Sequence, residues 1–312
     1  MLSQHIKQRL HHAIDDFLLQ LSCSNFSAGT VSGYRYDLRQ FVALLERSSQ
    51  SIHSFKQALY EKRLIDTISI RYQDNPQITP FTIRRYVCAY RSWIEYLIKI
   101  DILPPKFGRF CFELPKLPQI LPKALPERLL RLLLSKNTDS NDCLSYRNRS
   151  MLKLMAFSGL RVSEVINLRL TDCLLSERKI KVFGKGSKER IVPITVDTAQ
   201  SIERYFTLLK QSKIVRQTDT VFINSNGEKL HTSTIRRILV RQAEKVGYTG
   251  KITPHMLRHT CATHFAKQSK DLRFVQMLLG HQNIATTQVY VHLDYEYIGK
   301  MFDEYGFENH ED

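Results

Sequence analysis

Six prolines, Pro104, Pro105, Pro115, Pro118, Pro122 and Pro126, fall within 23 residues of this 312-residue chain. Proline lacks a backbone N–H and pushes the residue before it toward extended conformations, so no helix or central strand runs through such a stretch. Lys106, Arg109, Lys116 and Lys123 are interleaved with them, and the combination predicts a stiff, basic connection. The chain is therefore expected to form two domains, residues 1–113 and 127–312, joined by a linker over 114–126. Each is long enough to bury its own core.

On the N-terminal side apolar residues recur at helical spacing. Ile6, Leu10, Ile14, Phe17, Leu18 and Leu21 predict a first helix, and Val31, Tyr34, Leu38, Phe41, Val42 and Leu45 a second. Ser27 or Thr30 is positioned to cap the second. A weaker pattern runs from Ser54 to Gln73 and stops at Asp74-Asn75-Pro76. The clearest covers Thr79 to Ile100, with Ile83, Val87, Tyr90, Ile94 and Leu97 inward. Arg35, Arg39, Arg84, Arg85 and Arg91 fall off these stripes. Arginines outside four amphipathic helices suit a clamp on a DNA backbone; they equally suit the solvated face of an ordinary bundle.

The C-terminal part predicts a mainly α architecture with a small β-sheet. Helices are expected at Pro126–Ser135, Ser145–Ser158, from about Ser163, and at Ser233–Val246. Another opens at Thr253-Pro254, a proline at the first helical position. The hairpin signal lies in Arg178–Thr195, where Ile180, Val182, Ile191 and Ile194 alternate around GKGSK. A short strand is expected at Val221–Ile223. The tail after Tyr290, with Tyr295, Tyr297, Ile298, Met301 and Phe302, is amphipathic.

Lysine and arginine outnumber aspartate and glutamate 46 to 30, for a net charge of +16 and a pI near 9.6. The surplus is spread along folded-looking segments, which favours nucleic acid as partner. The first residues carry no apolar signal core, and no run approaches the ~18–20 apolar residues of a membrane span. The six cysteines include no C-x-x-C pair, as befits reduced thiols in the cytoplasm.

Residues 253–292 concentrate chemistry. His255 and Arg258, in the opening turns of a helix, offer positive charge at the positive end of its dipole, a place for a phosphate. His281 and Tyr290 follow. Breaking a phosphodiester without metal needs a nucleophile, a proton for the leaving oxygen, and neutralisation of the non-bridging oxygens. A tyrosine, a mobile lysine such as Lys185 at a hairpin tip, and the guanidiniums of Arg161 and Arg258 match those needs. Competing chemistries lack support. His255 and His259 have H-x-x-x-H spacing, with His264 five residues on, but there is no glutamate of H-E-x-x-H and no acidic third ligand, so no metal is expected. GKGSK does not open a helix as a nucleotide-binding loop does, and no G-x-S-x-G is present.

Taken together, SGLRVSE at 158–164, GKGSKER at 184–190, HMLRH at 255–259, LGH at 279–281 and a tyrosine nine residues later resemble the tyrosine recombinase (phage integrase) family, with Xer-type members nearest. The resemblance implies a four-helix, SAM-like core-binding domain before a mostly helical catalytic domain. It assigns Arg161 and Arg258 as catalytic arginines, Glu164 as a supporting acid, Lys185 as general acid, His255 and His281 as the two histidines, and Tyr290 as nucleophile. It implies a 3′-phosphotyrosyl intermediate and no cofactor. The expected partner is duplex DNA with a specific site, bound by a tetramer on two DNA sites, with room for a second recombinase. It also implies that the tail docks on a neighbouring protomer; packing on its own domain fits the pattern as well. Many relatives carry glycine before the aspartate at Asp271, where this chain has Lys270. A mobile-element integrase or resolvase, or a silent DNA-binding accessory protein, are the alternative functions.

Overall fold

The computed structural model describes residues 2–24, 26–48, 51–117, 124–135, 142–184, 189–280 and 291–307. The chain divides into two compact units, Met1–Ile120 and Leu121–Asp312. None of the described helices is long and apolar enough to cross a membrane.

The first unit contains α1 (Gln4–Cys23), α2 (Ala28–Arg47), α3 (Phe55–Ala58), α4 (Glu61–Asp74) and α5 (Pro80–Lys99). Serine and threonine start four of them, α3 through Ser54, whose Oγ accepts from the Gln57 N–H. Ser3 Oγ accepts from the Ile6 N–H, Ser27 Oγ from Thr30, and Thr79 Oγ1 from Thr82, the last with Pro80 behind it. Each cap satisfies a donor the helix leaves open. The expected third helix is two pieces. At the break Leu59 is buried, and its freed carbonyl accepts from Tyr90 Oη at 2.6 Å. Tyr60 stacks on Phe107, centroids 5.1 Å apart.

Around fully buried Trp93 the helices interlock. Its Nε1–H donates to Ala13 O at 3.2 Å, tying α5 to α1, and Tyr86 Oη pairs with Thr67 Oγ1 at 2.9 Å, tying α5 to α4. After α5, Glu61 accepts from the N–H groups of Cys111 and Phe112 and draws that segment back. Phe110, Phe112 and Leu114 pack on the core of the first unit, while Leu125 is buried in the second with its N–H on Thr260 Oγ1 at 2.9 Å. The ends of the proline-rich stretch are thus folded onto their own units; residues 118–123 lie outside those described.

The second unit continues with α6 (Glu127–Ser135), α7 (Cys143–Phe157), α8 (Val162–Asn167), β1 (Cys173–Leu174), β2 (Lys179–Phe183), β3 (Glu189–Pro193), α9 (Val196–Gln211), α10 (Thr232–Lys245), α11 (Pro254–Ser269), α12 (Leu272–Leu279) and α13 (Val291–Tyr305). The three strands form an antiparallel sheet in order β1-β2-β3, with Ile180 opposite Val192 and Val182 opposite Arg190. Ile180, Val182, Val192 and Ile194 face the core, whereas Ile191 is only half-buried. Ile191 and Ile194 are three residues apart, which a two-residue period cannot put on one face. Val221–Ile223 is fully buried but is not a strand. Bridges Arg169–Thr220 and Ile223–Lys229 flank it, and Val221 N–H donates to Leu168 O at 2.7 Å.

The tail packs on its own unit. Phe265 of α11 meets Phe274, Phe302 and Phe307, and the His264 ring stacks on Phe307 with centroids 3.7 Å apart. The His264 Nε2–H donates to Tyr305 O at 3.0 Å, and Arg178 pairs with Asp303 at 3.2 Å.

α11 ends on Lys270 at φ 54°, ψ 14°, a left-handed conformation that costs a side-chain-bearing residue about 1–2 kcal/mol. Glycine adopts this conformation without that cost. Lys270→Gly is expected to stabilise the second unit by about 1 kcal/mol, the relief of strain less the entropy glycine gains on unfolding. Urea unfolding of both proteins checks this; an unchanged midpoint would remove the strain argument.

Candidate active site

The site starts at a turn that only glycine fits. Gly159 has φ +65°, and a Cβ there would lie 2.5 Å from Leu279 Cδ2 and 3.3 Å from Cys261 Sγ. The chain then enters α8 through Arg161 as N-cap. Glu164, three residues on, reaches back: its Oε2 accepts from the Arg161 backbone N–H at 2.8 Å, its Oε1 from Arg161 Nη1 at 2.9 Å. The acidic half of a capping box thus also fixes a guanidinium.

Two more guanidiniums converge on this carboxylate. Arg190 of β3 grips it with both arms, Nη1 to Oε1 and Nη2 to Oε2, each at 2.9 Å. Arg258 Nη1 stands 4.0 Å from Oε2. Arg258 is held by main chain instead: Nη1 donates to Gly159 O, and Nη2 to Leu279 O at 2.7 Å, at the C-terminus of α12 where a cation meets the negative helix end. Three guanidiniums face one carboxylate, a net positive site built for an anion. Arg161 is its open edge, with 36% of its side chain exposed against 16% for Arg190 and 9% for Arg258.

Burial and charge set the protonation states. Burial alone would raise the Glu164 pKa; the hydrogen bonds and charge of Arg190, then those of Arg161, outweigh it and hold the carboxyl below its ordinary 4.5. Burial pushes Arg258 down to about 10, with the Arg161 charge adding to the effect, so it still carries a proton at neutral pH. Cys261, fully buried below the turn, is pushed up to about 12 by burial, and its Sγ–H donates to Phe157 O at 3.3 Å. It is a packing thiol, not a nucleophile.

Of the expected catalytic residues, Arg161, Glu164 and Arg258 come together. His255 is exposed in the first turn of α11, while Arg258 on the next turn points inward. Lys185, His281 and Tyr290 lie outside the described residues. Of the arginines expected on DNA, Arg35 is exposed, Arg84 is half-buried, and Arg39 lies 3.5 Å from Asp15 at the surface. Arg85 is exposed as expected, yet it also holds fully buried Asp37 in a fork of 2.7 and 2.8 Å. Arg91 is drawn inward: it is half-buried over the Phe110 ring with Nη2 on Phe112 O. Each guanidinium satisfies an internal acceptor that would otherwise be stranded.

Arg190 was not among the expected residues. It ends GKGSKER, a motif that draws attention to its lysine, and a β-strand arginine opposite a buried valine carries no signal of an ion pair with residue 164. Only the register of β2 and β3 places it there.

Because the Glu164 pKa is depressed on folding, its contribution to stability is present above its unfolded value near 4.5 and is lost as pH falls through the lower folded value. Wild type is therefore expected to be more stable than Glu164→Gln at neutral pH, with the gap closing as the pH drops below 4.5. Urea unfolding at stepped pH measures it; a gap that persists into strong acid would show that the ionised carboxylate is not what the arginines hold.

Residues 125–297 match the phage integrase family. The tyrosine recombinase XerC of Psychromonas ingrahamii is 32% identical over 299 residues, covering 95% of this chain and 96% of that protein. The tyrosine recombinase XerD of Oceanobacillus iheyensis is 34% identical over 311 residues, covering 95% and 98%. In fold the chain is similar to the XerH site-specific recombinase bound to a palindromic difH substrate, with TM-score 0.68 and 22% identity over 86% of this chain and 78% of that one. With an arginine-lined anion site between its glycine turn and its hairpin, and relatives of this kind along nearly its whole length, the chain belongs to the phage integrase family of tyrosine recombinases.

Proposed function

We propose that the protein is an Xer-type site-specific recombinase that cuts and rejoins duplex DNA through a 3′-phosphotyrosyl intermediate. The observation that carries this is the anion site itself: Arg161 and Arg258 arranged around a carboxylate that is already saturated by hydrogen bonds. Such guanidiniums keep N–H donors for the non-bridging oxygens of a scissile phosphate, and their geometry is paid for before the substrate arrives.

In this reading Tyr290 Oη attacks phosphorus and the bond to the 5′ oxygen breaks. His255 or His281 takes the phenolic proton, and Lys185 Nζ protonates the departing oxygen. The phosphotyrosyl ester keeps the energy of the broken bond, so a free 5′-hydroxyl from a partner strand reverses the attack without ATP or metal. Residues 1–113 serve as a core-binding domain and 127–312 as the catalytic domain, joined by 114–126. Arg35, Arg39, Arg84 and Arg85 remain candidates for backbone contacts, a role supported by the basic surplus of the chain. Four protomers on two sites, with or without a second recombinase, complete the reaction.

The test is covalent trapping. A nicked suicide duplex carries the sequence that the protein selects from a pool of random duplexes, and incubation is in EDTA without ATP. Wild type is expected to give a denaturant-resistant adduct mapping to Tyr290, and Tyr290→Phe none; an adduct in the Phe variant would overturn the assignment. Lys185→Ala is expected to slow cleavage of the normal ester by about a hundredfold or more. It should leave a 5′-bridging phosphorothiolate nearly unaffected, because a thiolate leaves without a proton. Equal slowing on both substrates would take the general-acid role from Lys185.

A further inference from the structure

Arg190 has no role among the residues assigned above, yet it supplies two of the four hydrogen bonds that reach Glu164. Both arms lie on Glu164 at 2.9 Å. Its strand partner is Val182, two residues before Gly184 and three before Lys185. Its other neighbour is Gly280, the residue before His281, at φ +63°. A Cβ there would lie 3.0 Å from Arg190 Cδ, 3.1 Å from Nε and 3.2 Å from Cζ. Space and backbone conformation both reserve position 280 for glycine, and what fills the space is the Arg190 side chain. One residue of the hairpin therefore reaches both the entrance of α8 and the end of α12.

Consider the carboxylate without it. Glu164 would keep its bonds to Arg161 but lose one N–H donor from each oxygen, in a place where only 6% of the residue is exposed. The nearest donor able to fill that gap is Arg258, whose Nη1 is already 4.0 Å from Oε2. Arg258 would be drawn off the Gly159 and Leu279 carbonyls onto Glu164, and Arg161 further inward. The positive charge needed by a phosphate would be spent inside the protein.

We infer that Arg190 is a positioning residue for strand cleavage: by saturating Glu164 it keeps Arg161 and Arg258 available to the scissile phosphate, and it ties β3 and the Gly280 corner to them. The inference rests on the recombinase reading and adds a residue to it. Arg190 touches no reacting atom; it acts through Glu164.

The experiment measures adduct formation on the same suicide duplex, at saturating protein, alongside duplex affinity and melting temperature. Arg190→Met is expected to slow adduct formation about thirtyfold or more while affinity changes less than about threefold, since phosphate contacts spread over the chain dominate binding. Arg190→Lys keeps charge without the fork, and should melt near wild type yet cleave several-fold slower. In a Glu164→Gln background, Arg190→Met should cost almost nothing further, because the two act as one unit. The inference is overturned if Arg190→Met cleaves within about twofold of wild type, or if the two substitutions multiply independently. It is equally overturned if rate, affinity and melting temperature fall together in both the Met and Lys variants, which marks a purely structural residue. If wild type gives no adduct, the recombinase reading itself fails and this inference falls with it; a wild-type adduct with a normal Met variant sinks the inference alone.

Discussion

A single buried carboxylate organises the catalytic unit. Glu164 is costly to bury as an ion, and the cost is met only because hydrogen bonds from Arg161 and Arg190 reach both of its oxygens. In satisfying it, these arginines become fixed in a place where like charges would otherwise drive them apart. The carboxylate also completes the entrance of α8, so local helix capping and active-site geometry are the same set of bonds. Removing the charge would therefore loosen a helix start, a strand attachment and an anion site together.

The first unit repeats the same physics with a different outcome. Asp37, fully buried in α2, is held by Arg85, with Arg71 at 4.0 Å. Arg71 in turn lies over the Tyr86 ring at 4.4 Å. There the arginines close a bundle; beside Glu164 one of them, Arg161, keeps 36% of its side chain exposed. The difference is the number of guanidiniums for each carboxylate and how they are anchored, since Arg258 takes main-chain carbonyls and adds its charge without consuming an acceptor on the acid.

Helices such as α1, α2 and α5 are legible in the sequence because each buries one stripe, and Ser27, Thr79 and Pro254 mark helix starts. Arg161, Glu164 and Arg258 are legible because local spacing places them at helix entrances. What is not legible depends on contacts between distant segments. Arg85 and Arg91 look like solvated charges on a helical wheel, and only the fold brings Asp37 and the Phe112 carbonyl to them. β1 has two residues, too few for any period. The burial of Val221–Ile223 shows as an apolar run, but its irregular path is set by bridges to positions 169 and 229. Arg190 is hidden for the same reason, its partner lying 26 residues away.

The two ways of anchoring an arginine here carry different evolutionary freedom. Glu164 and Arg190 recognise each other through side chains, so neither tolerates change without the other, and their positions should drift as a pair. Arg258 is tied to the carbonyls of residues 159 and 279, and every amino acid supplies a carbonyl. Residue 279 can exchange one side chain for another without loosening that bond. Comparing many related sequences for positions that change together would therefore find a partner for Arg190 and none for Arg258, although Arg258 is the more deeply buried of the two.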